Sequence, residues 1–167
     1  MAVQAIAGVS ASEEARIMTE FPSVAANGLG RLIGEILTCI PVKIWGVQVS
    51  YLLFGLPLAP LGLLLFLLRL TGIRYVLTNR SVQIWSTMGS QQVQSADLLA
   101  IDSVQIEQLP GQAFFRAADI RLKDAGGKTL LLLRGVADAQ AFKSVIDRAV
   151  ESRRLVSASL RVINNRS

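Results

Sequence analysis

The sequence contains an unbroken run of 25 residues without a formal charge, from Ile44 to Leu68. Only Gln48 and Ser50 within this run are conventionally polar. As a helix with a rise of about 1.5 Å per residue, the run would measure roughly 37 Å, which exceeds the ~30 Å hydrocarbon core of a bilayer. A small domain cannot cover an apolar cylinder of this length on every side. The run therefore predicts a membrane segment over residues 44–71.

Residues typical of a membrane interface stand at both ends of this segment. Trp45 and Tyr51 lie toward its start and Arg69 stands directly after the uncharged run, and these are the side chains that anchor a segment at headgroup level. Pro57 and Pro60 each remove a backbone donor and crowd the preceding turn, so we expect a kink or a break there. Two arrangements fit: one kinked helix that crosses the bilayer, or a re-entrant hairpin that turns at GLPLAP and leaves by the face it entered.

The charges beside the segment indicate its orientation. Arg31 and Lys43 precede the uncharged run, whereas Arg69, Arg74 and Arg80 follow it. Because basic flanking residues stay on the cytoplasmic side, the C-terminal part is placed in the cytoplasm by a margin of one charge. The expected location is the cytoplasmic (inner) membrane.

The chain before the segment divides into two parts. Residues 28–43 carry apolar side chains at helical spacing, with the charged residues on another face, which predicts an amphipathic helix. That helix either lies in the headgroup plane or packs on the protein's own domain. Residues 1–27 are expected to be loosely ordered or weakly helical, with a short helix over 11–20 indicated by the capping-box spacing of Ser10 and Glu13.

Beyond Gly72 the pattern changes to short runs rich in β-branched and aromatic residues, separated by turn-forming residues. The predicted strands cover residues 73–78, 81–88, 91–96, 99–108, 114–123 and 128–136. Six or seven short strands at this spacing predict an antiparallel sheet curled into a sandwich or partial barrel. An amphipathic helix follows from Asp138, with an apolar stripe from Phe142 to Val150. The domain spans 72–154, and the tail 155–167 is expected to add a strand or extend as an arm.

Four stretches after the membrane run carry a family resemblance. They are Tyr75-x-Leu77-Thr78-x-Arg80, the strand Leu99-x-Ile101-x-Ser103-Val104-x-Ile106, Arg116-Ala117-Ala118-Asp119-Ile120, and the approach from Leu133-Arg134-Gly135-Val136 to Phe142. With them, residues 73–151 resemble the bacterial pleckstrin-homology-like (PH-like) domains found beside transmembrane segments. The resemblance implies an α+β, mainly β fold: a PH-like antiparallel partial barrel of six to seven strands capped by a C-terminal helix.

Several kinds of chemistry are excluded by composition. The chain has no histidine and a single cysteine, Cys39, so neither a nucleophile paired with histidine, nor a Cys/His zinc site, nor an internal disulfide can be built. Gly126-Gly127-Lys128-Thr129 lacks the glycine and the helix of a phosphate-binding loop, and it predicts a hairpin turn. Asp119, placed between strand residues, is expected to form a structural ion pair with Arg116 or Arg121. We expect no enzyme activity, no metal and no cofactor.

Basic charge is concentrated after the membrane run. Residues 69–167 hold 14 Lys and Arg against eight Asp and Glu, a net charge of +6, whereas residues 1–68 carry −1. Each basic residue held near an anionic leaflet gains about 1 kcal/mol, so Arg69, Arg74 and Arg80 are candidate headgroup contacts. The alternative is that the charge reflects membrane orientation alone. The basic residues are dispersed and lack an aromatic stacking pattern, so nucleic acid is not an expected partner.

These observations predict a non-catalytic, membrane-anchored binding or scaffold protein. Its β domain would be presented at the cytoplasmic face to a protein partner or to anionic lipid, and its strand edges favour self-association into a homo-oligomer. The alternative is an accessory subunit of a larger membrane complex, such as a transporter or an envelope assembly.

Overall fold

A computed structural model of the protein describes residues 14–44, 47–70, 72–87 and 90–164, with the backbone alone at 65–70, 160–161 and 163–164. The helices are α1 (Gly28–Thr38), α2 (Val49–Leu70) and α3 (Ala139–Asn164). The strands are β1 (Arg16–Glu20), β2 (Lys43–Ile44), β3 (Val47–Gln48), β4 (Ile73–Thr78), β5 (Ser81–Ser86), β6 (Gln92–Asp97), β7 (Ser103–Glu107), β8 (Ala117–Lys123) and β9 (Thr129–Ala137).

Seven of these strands form two open antiparallel sheets. The first has the order β1-β4-β5-β6 and the second the order β7-β8-β9, while β2 and β3 pair with each other in a small hairpin. Helix α3 packs against β7 and β8 of the second sheet. The mainly β fold with a C-terminal helix is therefore confirmed.

A single apolar core is shared by both sheets and α3. Tyr75 of β4, Ile120 of β8, Leu133 of β9, and Phe142 and Ile146 of α3 are each at most 1% exposed. They come from the alternating strand positions and the helical stripe that the sequence predicts. Fully burying one such side chain stabilises the fold by about 1.5–3 kcal/mol.

The hydroxyl of Tyr75 joins the first sheet to the second. It donates to the carbonyl oxygen of Arg134 at 2.9 Å and accepts from the backbone N–H of Arg134 at 3.0 Å. Burial raises the pKa of Tyr75 to about 12, so the phenol stays protonated at neutral pH. One buried polar atom thus satisfies both backbone groups of a β9 residue.

The N-terminal part of the chain adds a strand to the first sheet. Strand β1 pairs antiparallel with β4, from Arg16 opposite Thr78 to Glu20 opposite Tyr75. The predicted short helix is therefore wrong for Arg16–Glu20, and residues 11–13 lie outside the described residues. The reason is tertiary: the open edge of β4 offers a ladder of backbone partners, which outweighs a weak local capping signal.

A carboxylate fastens the start of β1 to the hairpin between β4 and β5. Glu14 accepts hydrogen bonds from Thr78 Oγ1 and Ser81 Oγ, both at 2.6 Å, and from Gln83 Nε2 at 2.9 Å. The hydrogen bonds from Ser81 and Thr78 lower the pKa of the Glu14 carboxyl. Because the folded pKa lies below the unfolded one, this contribution to stability is present above the unfolded pKa and is lost as the pH falls through the folded one.

Helices α1 and α2 form a helical hairpin that rests on the β domain. Ile33 and Leu37 of α1 are buried against Phe54 and Leu58 of α2 and against Phe114 of the β7–β8 connection. Helix α1 occupies Gly28–Thr38 within the residues 28–43 that the sequence predicts as an amphipathic helix, and its buried face packs on the protein's own chain. The Ser50 hydroxyl donates to the Leu37 carbonyl and ties the two helices at their connected ends.

Helix α2 continues through both of its prolines. Pro57 and Pro60 lie inside Val49–Leu70, so the predicted turn at GLPLAP is wrong. An interior proline removes one helical hydrogen bond, a loss that apolar helices packed on neighbouring helices tolerate. Among the residues that the structure describes, no helix has both the length and the apolarity that a bilayer crossing requires.

Helix α3 is longer than the sequence pattern indicates. It runs without interruption from Ala139 to Asn164, so the predicted strand or arm from Leu155 is wrong. No glycine or proline follows Val150 to stop the helix. The Arg154 guanidinium also donates to the Ile101 carbonyl at 2.8 Å, which holds this part of α3 against the domain.

Gly135 of β9 provides a test of how the helical hairpin is joined to the domain. Its φ is +59°, its carbonyl accepts from the Ser23 N–H at 2.7 Å, and a Cβ there would lie 2.5 Å from the Ala26 nitrogen. We expect Gly135→Ala to cost about 3 kcal/mol, because backbone strain and overlap add. Denaturant titration of the full-length protein, followed by tryptophan fluorescence, measures this loss.

Gly127→Ala is the matched control for that substitution. Its φ is +77°, but a Cβ would meet nothing within 4 Å, so only the conformational cost of about 1 kcal/mol remains. Equal losses for the two variants would show that the contact with Ala26 is unimportant.

Candidate functional site

A surface of exposed leucines covers the helical hairpin. In α2, Leu56 is 84% exposed and Leu52 is 68% exposed, although the opposite side of this helix packs on α1. Single exposed apolar residues are ordinary, but several strongly exposed leucines on two packed helices indicate an interaction surface. We call it the apolar helical surface; its members are Leu29, Leu32, Leu52, Leu53, Leu56, Leu63 and Leu64.

The connection between α1 and α2 extends this surface. Val42, Ile44 and Val47 are exposed in or beside the small β2–β3 hairpin, and Lys43 is exposed among them. Apolar side chains that alternate with a lysine suit the boundary between hydrocarbon and headgroups, because the lysine stem lies along the apolar region while its ammonium reaches water.

The sheet pairing decides how the chain can approach a bilayer. Strand β1 precedes the helical hairpin and β4 follows it, yet the two are hydrogen-bonded neighbours in one sheet. A segment that crossed a bilayer once would place these strands on opposite sides. With its 11 residues, α1 measures about 16 Å, half the thickness of the hydrocarbon core, so it cannot supply a second crossing. The single-crossing prediction is therefore wrong, and the chain enters and leaves the hairpin on the same side.

The structure describes some of the predicted anchor residues and leaves others outside the described part of the chain. Pro57 and Pro60 are exposed on α2, and Tyr51 is partly exposed at its start, with its ring edge-on to Phe114 at a centroid distance of 5.6 Å. Trp45 lies outside the described residues, as does the side chain of Arg69. The structure thus brings Tyr51, Pro57 and Pro60 together on one helix.

The two described headgroup candidates stand at opposite ends of β4. Arg74 is the second residue of this strand and lies next to the end of α2, whereas Arg80 is in the turn after the strand. Along β4, Arg74 and Thr78 are already about 13 Å apart, and Arg80 lies beyond Thr78, so Arg74 and Arg80 cannot share one headgroup. The Arg80 charge lies near Glu14 and contributes to lowering its pKa.

Arg74 is held against an aromatic ring. Its guanidinium carbon is 5.7 Å from the centre of the Trp85 ring, within range of a cation–π contact. Its Nε is buried without a hydrogen-bond partner among the described residues. Trp85 lies opposite Arg74 in the β4–β5 register, so this contact holds the guanidinium over the neighbouring strand.

A buried polar cluster was missed by the sequence analysis. Asp119 is 5% exposed, and its Oδ1 accepts from Gln112 Nε2 at 2.6 Å and from the Gly135 N–H at 2.8 Å. The predicted ion pair with Arg116 or Arg121 is therefore wrong, and Arg121 pairs instead with Glu107 at 2.7 Å. Amide donors satisfy a buried carboxylate without burying a guanidinium.

This cluster has a structural role in the fold. Its donors come from the loop before β8 and from β9, and they hold Asp119 inside the core. In the described part of the chain, no three His, Cys, Asp or Glu side chains are placed to hold a metal ion.

Two open antiparallel sheets around one core, closed by a long C-terminal helix, define the class of PH-like domains. The sequence model of the family described as Bacterial PH domain matches residues 24–150. The chain therefore belongs to the bacterial PH domain family, and the match includes the helical hairpin as well as most of both sheets. No curated protein and no solved structure matches the chain. PH-like domains are generally non-catalytic binding modules.

The same-side arrangement can be tested with introduced cysteines. In a Cys39→Ser background, Ala15→Cys places a thiol beside β1 and Leu155→Cys places one on the exposed face of α3. We expect a membrane-impermeant maleimide to label both variants in membrane vesicles of one orientation and neither in vesicles of the opposite orientation. Labelling of the two variants in opposite orientations would contradict the pairing of β1 with β4.

Proposed function

We propose that the protein is a non-catalytic PH-domain binding module that associates with the cytoplasmic face of a membrane through the apolar helical surface. The observation that carries this proposal is the series of leucines exposed on a helix whose other side is already packed. The hairpin would lie along one leaflet with its exposed leucines immersed, while the β domain rests at the headgroups and binds anionic lipid or a protein partner.

The free energy available from this surface is sufficient for association. Burying a leucine side chain gains about 1.5–3 kcal/mol, and the seven leucines of the surface are each more than half exposed. Their transfer to hydrocarbon is worth on the order of 10 kcal/mol before the entropic cost of association is subtracted. This gain requires only immersion of one face, as in interfacial helices.

The charge distribution supports the cytoplasmic leaflet as the site of association. Residues 69–167 carry a net charge of +6, and a basic domain gains free energy beside anionic headgroups. Arg74 has the best position for such a contact, because it lies where the chain leaves α2. If a membrane protein covers the apolar helical surface instead, the chain is an accessory subunit of a larger complex.

Leu56→Glu tests the association with the bilayer. This side chain is the most exposed of the leucines, so the substitution leaves the packed side of α2 intact while it places a charge in hydrocarbon. We expect at least a tenfold fall in the fraction of full-length protein bound to vesicles in a flotation assay, since a buried charge costs about 2.5–3.5 kcal/mol in a membrane helix.

Val93→Glu is the control, because Val93 is 58% exposed on β6 and lies outside the apolar helical surface. Its bound fraction should equal that of the unmodified protein. Undiminished binding of the Leu56→Glu variant would refute the proposed mode of association.

Arg74→Gln tests the contact with anionic headgroups. The measured quantity is the ratio of binding to vesicles that contain phosphatidylglycerol over binding to neutral vesicles. We expect this ratio to fall about threefold to fivefold, which corresponds to the ~1 kcal/mol of one basic residue. Arg148→Gln on the exposed face of α3 removes the same charge and should leave this ratio unchanged. If both variants behave alike, the preference arises from net charge and Arg74 has no special role.

A further inference from the structure

A groove of about 620 Å³ runs between α1 and α2 on the apolar helical surface. Leu32 and Ile36 of α1 and Phe54, Pro57 and Leu58 of α2 line it. Its volume falls within the range of about 300–1,000 Å³ that is common for ligand sites. Leu32 belongs both to the groove and to the apolar helical surface, so the groove is continuous with the face that the proposed function places in hydrocarbon.

One charged side chain interrupts the apolar lining. Glu35 lies on the wall of the groove, and the ion pairs found among the described residues involve other side chains. Arg31 precedes Glu35 by one helical turn, yet the two do not form an ion pair in the described structure. A carboxylate at the edge of hydrocarbon is costly without a counter-charge. Glu35 is exposed, and a cation attached to an apolar chain would complement both its carboxylate and the apolar lining of the groove.

We infer that the groove binds one phospholipid with a primary-amine headgroup. Its ammonium would donate to the Glu35 carboxylate, and one acyl chain would lie along Ile36, Phe54 and Leu58. A primary ammonium has N–H donors for this charge-assisted hydrogen bond, whereas the quaternary amine of phosphatidylcholine has none and phosphatidylglycerol carries no cation. This inference rests on the proposed function, because only membrane association brings the groove to lipid.

The observations favour a lipid over a second copy of the chain. Two copies that packed their grooves together about a two-fold axis would bring a second unpaired Glu35 to the same apolar interface. That arrangement adds like charge where the groove lacks an opposite one.

The inference is tested on the full-length protein with three synthetic lipids of matched acyl chains. The protein is exchanged into detergent micelles that contain equal amounts of phosphatidylethanolamine, phosphatidylcholine and phosphatidylglycerol, and the retained lipid is identified by native mass spectrometry. We expect at least a fivefold preference for phosphatidylethanolamine. Glu35→Gln should abolish this preference, because it removes the charge and keeps the shape of the side chain.

Glu151→Gln on α3 is the matched control and should keep the preference. Retention of all three lipids equally, or an unchanged preference in the Glu35→Gln variant, would overturn the inference. A lipid-free dimer would overturn it as well and would identify a second copy as the occupant. If the unmodified protein does not bind vesicles in the separate flotation assay, the proposed function is overturned instead. The two failures can therefore be told apart.

Discussion

The hydrogen-bonded pairing of β1 with β4 is the constraint on which the rest of the structure depends. The two strands stand on either side of the most apolar part of the chain, and the ladder from Arg16–Thr78 to Glu20–Tyr75 keeps them in one sheet. Everything between them must therefore leave the β domain and come back to it. Glu14 strengthens this pairing with hydrogen bonds to the β4–β5 hairpin. The apolar segment lies in this part of the chain and forms α2, one half of the helical hairpin.

The helical hairpin is joined firmly to the β domain at several places. The Ser23 N–H donates to the Gly135 carbonyl, and Gly34 approaches the Gly111 carbonyl so closely that a Cβ at Gly34 would lie 2.2 Å from that oxygen. Phe114 fills the space between the two helices and the domain. These contacts fix the position of the helical hairpin relative to the β domain.

Local sequence patterns were sufficient for most of the β domain. Alternation of apolar residues located β4 through β9, since each strand buries one face against the shared core. The Gly126-Gly127 turn and the apolar stripe of α3 followed from equally local chemistry. The same reasoning failed for β1, whose partner lies some sixty residues away, and for Asp119, whose donors come from a loop and a neighbouring strand. Both depend on groups that only the folded chain brings together.

The sequence by itself determined the apolar segment, the mainly β domain with its C-terminal helix, and the absence of histidine chemistry, because composition and periodicity act over a few residues at a time. Only the tertiary structure decided that α2 runs unbroken through Pro57 and Pro60, and that the chain on either side of the hairpin lies together. It also decided which leucines remain uncovered, since exposure depends on how far α1 and Phe114 reach around α2. Those outcomes arise from long-range pairing and packing, which no short stretch of sequence encodes.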